Sequence, residues 1–378
     1  MFAIVSSPDS VLRNGVPDPA LIGALNAIVA AGSTVVLISN QAEPAWFKPA
    51  FGAGHVQFSQ SIGRQSGEVV RNNAARLQLA SHDVFVLATK ADDVQMGKNA
   101  QAVLVAGGWA TSPAVDPLGI RVNTAAELLD TIALMQGWTG QWWFTGKAKN
   151  YNVQALCDLS SMYKSNDQVD FSRRVTAVVK NGGGARLMAL LAITSRSLLM
   201  DQIDKVEDLL WGVYPSSKSA NNDTEILSDF THRLRTTVSR VRLAKRDVPL
   251  FIRHQASSKR SAGGGGDRTN PSEQIQTIHL NPEYQKNVKG RNVVVIDDCT
   301  TYGVSFGVAA AFLKKAGAAS VLGLALGKFG SQLREYEIDI LSDPFKPVGT
   351  EEFKVLASGL FTGSTSHISQ QTLLNIFP

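Results

Sequence analysis

Cysteine is nearly missing from this 378-residue chain, which holds only Cys157 and Cys299. Two thiols exclude a disulfide framework and a thiolate metal cluster. Charge is also scarce, at 18% of residues, while 44% are hydrophobic. That balance excludes wholesale disorder and supplies apolar surface for sizeable cores. No run of eighteen apolar residues occurs, and Met1-Phe2-Ala3-Ile4-Val5 lacks a basic region leading into a long apolar stretch. A cytoplasmic protein that does not engage a membrane is therefore expected. Acid is scarce in one segment above all. Between Thr231 and Arg260, nine Lys and Arg residues (233, 235, 240, 242, 245, 246, 253, 259 and 260) stand against one acid, Asp247. This local excess is larger than the +5 of the whole chain. It invites an anionic partner, either a diphosphate or a nucleic acid, or else forms a solvated helix face.

The length suggests two domains, 1–137 and 138–378, both of α/β type. The most informative stretch is Val293-Val294-Val295-Ile296-Asp297-Asp298-Cys299-Thr300-Thr301-Tyr302-Gly303-Val304-Ser305. Four β-branched residues run into two carboxylates and then a short polar loop. From Phe306 to Ala316 the apolar spacing turns helical, and Gly317 supplies a stop. A buried parallel strand that ends in a polar loop at a helix N-terminus suits a phosphate. Two carboxylates at the strand end can accept from sugar hydroxyls or hold hydrated Mg²⁺.

This stretch resembles the motif of type I phosphoribosyltransferases that binds 5-phosphoribosyl 1-diphosphate (PRPP). The resemblance implies that Asp297 and Asp298 bind the ribose and Mg²⁺, and that Thr301, Tyr302, Gly303, Val304 and Ser305 wrap the 5′-phosphate. Tyr302 departs from the family, which has Thr there. Upstream, Asp208 to Tyr214 reads as a core strand followed by Pro215-Ser216-Ser217-Lys218, which is similar to the diphosphate loop of the competence-associated, ComF-like branch. Ser216, Ser217 and Lys218 are thus expected to bind diphosphate. Lys180 before Gly182-Gly183-Gly184 is a weaker phosphate candidate. Val248 to Arg253 reads as a second core strand. A glycine-rich segment follows, with Lys259, Arg260 and Arg268 as candidates to neutralise the departing diphosphate. Phe353 to Ala357 reads as a further strand. The implied activity is displacement of diphosphate from C1 of PRPP by a nitrogenous acceptor, with Mg²⁺ assistance. The implied partners are PRPP, an acceptor that the sequence does not identify, and a second copy of the chain. The rival expectations are a PRPP or nucleotide sensor without turnover and a nucleic-acid-binding accessory protein using the 231–260 block.

Residues 1–137 alternate strands and helices in a layout similar to haloacid dehalogenase-like (HAD) phosphohydrolases. Ser7 stands where that family places its nucleophilic aspartate, whereas Asp9 keeps the general acid/base position. Ser39-Asn40 matches the second motif, Arg64 falls near the expected lysine, and Asp93 is the last acid of the metal-binding motif. Without a carboxylate nucleophile, phosphatase activity is not expected. Between the two halves lies Gly137-Trp138-Thr139-Gly140-Gln141-Trp142-Trp143-Phe144, a cluster that is either a base-stacking surface or a buried anchor.

Overall fold

A computed structural model describes residues 1–52, 56–110, 112–222, 224–238, 246–258, 267 and 269–377. The first part of the chain folds as β1 (Ala3–Ser6), a small hairpin of β2 (Leu12–Arg13) and β3 (Val16–Pro17), α1 (Pro19–Ala30), β4 (Thr34–Ser39) and α2 (Phe47–Phe51). It continues through β5 (Gln57–Gln60), α3 (Glu68–Arg76), β6 (Val84–Ala88), α4 (Ala91–Ala100), β7 (Val103–Gly107), β8 (Ile120–Val122) and α5 (Ala125–Gly137). Six of these strands form a wholly parallel sheet in the order β5-β4-β1-β6-β7-β8. This is a doubly wound order, and it reverses between β1 and β6. Local chemistry fixes the helix starts. Asp18 Oδ1 accepts from Ala20 N at 2.8 Å beside Pro19, and Thr124 Oγ1 accepts from Glu127 N at 3.1 Å.

The remainder holds β9 (Phe144–Lys147), β10 (Asn152–Asp158), α6 (Asn166–Asn181), α7 (Ala185–Met200), β11 (Leu209–Val213), α8 (Ile226–Val238) and β12 (Phe251–Arg253). After these come α9 (Ser272–Thr277), β13 (Ile278–Leu280), β14 (Asn292–Thr300), α10 (Val304–Lys315) and β15 (Ser320–Lys328). The chain closes with β16 (Gln332–Ile340), β17 (Phe353–Thr362), β18 (Ser364–Thr365) and α11 (His367–Ile376). The second sheet runs β11-β14-β15-β10-β9-β18, with its first four strands parallel and the last two antiparallel. Strand β12 does not join it. Phe251–Arg253 pairs antiparallel with β13 alone, which corrects the expectation of a second core strand there. Strand β17 extends past Ala357 and pairs with β16 in a long hairpin packed on α10.

The strand residues alternate between two cores, as the pleat requires. Val294 and Ile296 face a helical layer with α6, α7 and α8, whereas Val293 and Val295 face α10 and the hairpin. The same apolar core includes Ile4, Leu37, Phe85 and Val105 of the first sheet, where α7 and α8 reach strands β7 and β8, so one core touches both sheets. Trp138, Trp142 and Trp143 lie within this packing at 1%, 7% and 6% exposure, and are anchors rather than a stacking surface. Trp138 Nε1 donates to Ser197 Oγ at 2.9 Å, and Trp142 Nε1 donates to Asp201.

Arg196 on α7 ties the parts together. Its Nη1 donates to His82 O and Asp83 Oδ1, both at 2.8 Å, and its guanidinium lies 5.0 Å from the Phe2 ring centroid. Arg196→Met leaves the Asp83 carboxylate and the His82 carbonyl without that donor. It should lower stability by about 2–3 kcal/mol, read as a lower urea midpoint. An unchanged midpoint would sink this assignment.

Candidate functional site

Register determines which residues meet where the parallel strands of the second sheet end. Val213 pairs with Ile296, Asp297 with Ala325, and both Thr300 and Asp158 with Lys328. Tyr214 N donates to Ile296 O at 2.8 Å, so the Pro215–Lys218 turn leaves the sheet beside Asp297. The structure therefore brings together the two loops expected to hold phosphate groups.

The acidic pair is half-buried. Asp297 Oδ2 accepts from Ser305 Oγ at 2.5 Å and Oδ1 accepts from Asp298 N at 2.9 Å, while Asp298 Oδ1 accepts from Cys299 N at 2.5 Å. Loss of water and then the neighbouring Asp298 charge push the Asp297 carboxyl up to about 8, against the opposing pull of the Ser305 hydrogen bond. Among the described residues, no cluster of three or more His, Cys, Asp or Glu side chains could cage a metal. Magnesium does not require one, since it takes one or two carboxylates and completes its shell with water and substrate phosphates. Two adjacent carboxylates whose charge nothing described offsets fit such an ion.

Strand β14 continues through Thr300, past the carboxylates expected at its end, and α10 begins at Val304 rather than Phe306. The reason is local. Thr300 Oγ1 accepts from Gly303 N at 3.0 Å, and Gly303 adopts φ +78°, a left-handed conformation that glycine takes without strain. The helix then lies unusually close to the sheet. A Cβ at Gly323 would sit 2.5 Å from the Phe306 ring, so glycine is required there.

Beneath the loop sits Lys328, fully buried, a residue that the sequence reading missed. Its Nζ donates to Thr301 O at 2.7 Å, Gly330 O at 2.8 Å and Gln332 O at 2.6 Å, and lies 4.7 Å from the Phe144 ring centroid. Arg334 N donates to Tyr302 O at 3.0 Å. In a trans peptide, N–H and C=O point in opposite directions. The amide of Tyr302 therefore points away from Lys328, and that of Gly303 away from Arg334.

The neighbouring loop is built in the same way. Arg253, 4% exposed, donates through Nε to Ser216 O at 2.6 Å and through Nη2 to Pro215 O at 3.1 Å. Its other bonds go to Gln274 Oε1 at 2.9 Å and Thr277 Oγ1 at 2.7 Å. Ser257 N donates to Ser217 O at 3.1 Å. By the same peptide geometry, the amides of Ser216, Ser217 and Lys218 point away from these donors. The Ser216 hydroxyl is engaged with Glu225 Oε1 at 3.0 Å, which leaves the backbone as the ligand-facing chemistry of that residue.

Of the basic block, Arg233, Arg235 and Arg253 are buried and Arg246 is exposed. Arg233 and Arg235 are 8% and 5% exposed because α8 is sandwiched between the two sheets. Arg233 pairs with Asp229 at 2.8 Å and donates to Asp116 O at 3.0 Å, while Arg235 contacts His232 Nδ1 at 2.7 Å. Arg246 pairs with Asp229 at 2.9 Å, and Arg253 is the loop brace. Arg240, Arg242, Lys245, Lys259, Arg260 and Arg268 lie outside the described residues. Lys180 lies in the last turn of α6 on an exposed position.

At the carboxyl edge of the first sheet, Ser7, Arg64 and Asp93 do come together. Asp93 is fully buried, accepting from Arg64 Nη1 at 2.6 Å, Ser7 Oγ at 3.1 Å, and Thr89 N and Lys90 N at 3.0 Å each. Asn40 Oδ1 accepts from Arg64 N at 3.4 Å and Ser39 Oγ from Gln41 N at 3.0 Å, while Asp9 pairs with Lys90. Both Asp93 oxygens are occupied, and Ser7, 1% exposed, is shut from solvent. This arrangement holds loops in place, and the Ser7 position offers a buried hydroxyl rather than a carboxylate.

The fold is thus a mixed α/β architecture with two sheets rich in parallel strands. No family model matches the chain, and no curated protein matches its sequence. Among solved structures, the cobalt-bound deoxy-D-mannose-octulosonate 8-phosphate phosphatase of Haemophilus influenzae is similar to 37% of this chain and 91% of its own, at 13% identity and a TM-score of 0.32. At that overlap the likeness carries no information about chemistry.

Two outcomes follow from these sites. Below pH 3.8 Asp297 is protonated in both states, and between there and about 8 the native state holds a proton that the unfolded chain has released. Native stability therefore falls as pH rises through that window and levels off above it. Asp297→Asn should match wild type in melting temperature near pH 4 and exceed it at pH 8, by scanning calorimetry. A variant that falls as steeply as wild type contradicts a desolvated acidic pair. At the first sheet, Arg64→Met strands the Asp93 charge and should cost about 3–5 kcal/mol, read as a lower denaturation midpoint. Asp93→Asn on that background should recover part of the loss.

Proposed function

We propose that the chain is a phosphoribosyltransferase acting on PRPP with Mg²⁺. The single observation that carries this reading is the placement of the Asp297–Asp298 pair between two loops whose carbonyls are turned inward. Asp297 and Asp298 would accept from the ribose hydroxyls and hold the ion. The Thr301–Ser305 loop, at the N-terminus of α10, would take the 5′-phosphate through its backbone amides. Ser216, Ser217 and Lys218 would take the diphosphate.

The reaction breaks the C1–O bond, and the electron pair leaves with the diphosphate. A C1–N bond forms from the acceptor lone pair, and the acceptor gives up its N–H proton. Positive charge builds on the sugar in the transition state, so the adjacent carboxylates stabilise it more than a strong base would. Magnesium, when bound, offsets charge on the diphosphate. The Ser7 site, lacking a nucleophile, has a supporting role in assembly under this reading.

The test is diphosphate release from PRPP and Mg²⁺ with a panel of nitrogenous bases. At least one base should support turnover, and Asp298→Asn should lower kcat/KM by about a hundredfold or more. Saturable PRPP binding without diphosphate release from any base would replace the transferase reading with that of a sensor.

A further inference from the structure

We infer that Lys328 is a positioning residue for the Thr301–Ser305 loop, and that Arg253 has the same task for the Pro215–Lys218 loop, each acting on its own loop alone. The inference rests on the phosphate roles proposed above for the two loops. Both cations are buried against carbonyls of their own loops. Lys328 is fully buried and spends its three protons on the carbonyls of Thr301, Gly330 and Gln332. Arg253 is buried and donates to Pro215 O, Ser216 O, Gln274 Oε1 and Thr277 Oγ1.

A cation buried among carbonyls fixes the rotation of each peptide plane that it touches. Planarity transmits that choice to the N–H on the far side. Turned the other way, the Thr301–Tyr302 peptide would present its oxygen, and an oxygen repels a phosphate where an amide attracts it. Lys328 therefore acts on the ligand through the loop, without contact.

Two further features support this assignment. Burial lowers the Lys328 ammonium to about 8, with Asp158 opposing the shift, so the group is cationic at neutral pH. The Phe144 ring on the far side adds a cation–π contact that carbonyl-bound lysine alone would not need. The two braces also reach their loops from different places. Lys328 ends strand β15 of the main sheet, whereas Arg253 ends β12 of the separate two-stranded sheet. Loss of one brace therefore need not disturb the other.

The experiment titrates ribose 5-phosphate and, separately, inorganic diphosphate with Mg²⁺ into wild type, Lys328→Met and Arg253→Met. Lys328→Met should weaken ribose 5-phosphate tenfold or more and change diphosphate by less than twofold. Arg253→Met should do the reverse. Where Met at 328 prevents folding, Lys328→Gln keeps two N–H donors and should give an intermediate loss for ribose 5-phosphate alone. General destabilisation would weaken both ligands together in either variant, and that result overturns the inference while leaving the proposed function in place. Unchanged affinities in both variants overturn it equally. If wild type binds neither ligand, the functional reading fails, and the loop-specific roles fall with it.

Discussion

The inner strands of a parallel sheet can satisfy their backbone along their length but not where they end. In the second sheet those ends hold the candidate chemistry, and the solution there is cationic. Lys328 and Arg253 take up the carbonyls that the chain reversals leave unpaired. Burying a charge is costly unless hydrogen bonds compensate it. Each of these cations has several short carbonyl or amide partners, so the cost is met by ordering two loops. In the ordered loops the amides across these peptides point away from the cations, and the Gly303 amide meets Thr300 Oγ1. The acidic pair at the strand ends has no ion-pair partner among the described residues. Burial, and then the Asp298 charge beside it, raise the Asp297 carboxyl. A sugar phosphate with a divalent cation would supply what each part lacks.

The first sheet reaches a different balance. Its buried acid, Asp93, already has its cation in Arg64 and its amides from Thr89 and Lys90. Two carboxyl edges of similar architecture thus differ in one respect, whether the central carboxylate is offset from within. The shared layer of α6, α7 and α8 makes the halves depend on each other for packing. It also explains why cations on α8 are inside: both faces of that helix have a sheet to cover them.

The strand, acids, loop and helix at 293–316 were legible because each signal is local. β-branched residues, a carboxylate pair and a helical spacing follow one another in the chain. Their limits were misjudged by a few residues because Thr300 and Gly303 close the turn between themselves. Lys328 was invisible for the opposite reason. A lysine that ends an apolar strand reads as a charge reaching solvent, and only the register with Thr300 puts it under a loop. Arg233 and Arg235 misled in the same way, since one apolar stripe on α8 suggests one buried face. For β12, the apolar run Leu250-Phe251-Ile252 showed extended structure but not its partner. Pairing with β13 rather than the main sheet is a long-range choice that periodicity does not encode.

The most direct measurement is a calorimetric titration of PRPP with Mg²⁺ into wild type and an Asp297→Asn/Asp298→Asn double variant. Saturable binding in wild type that disappears in a folded double variant is the predicted result. Equal binding in both proteins, or no binding in wild type, would contradict a PRPP site built on the acidic pair.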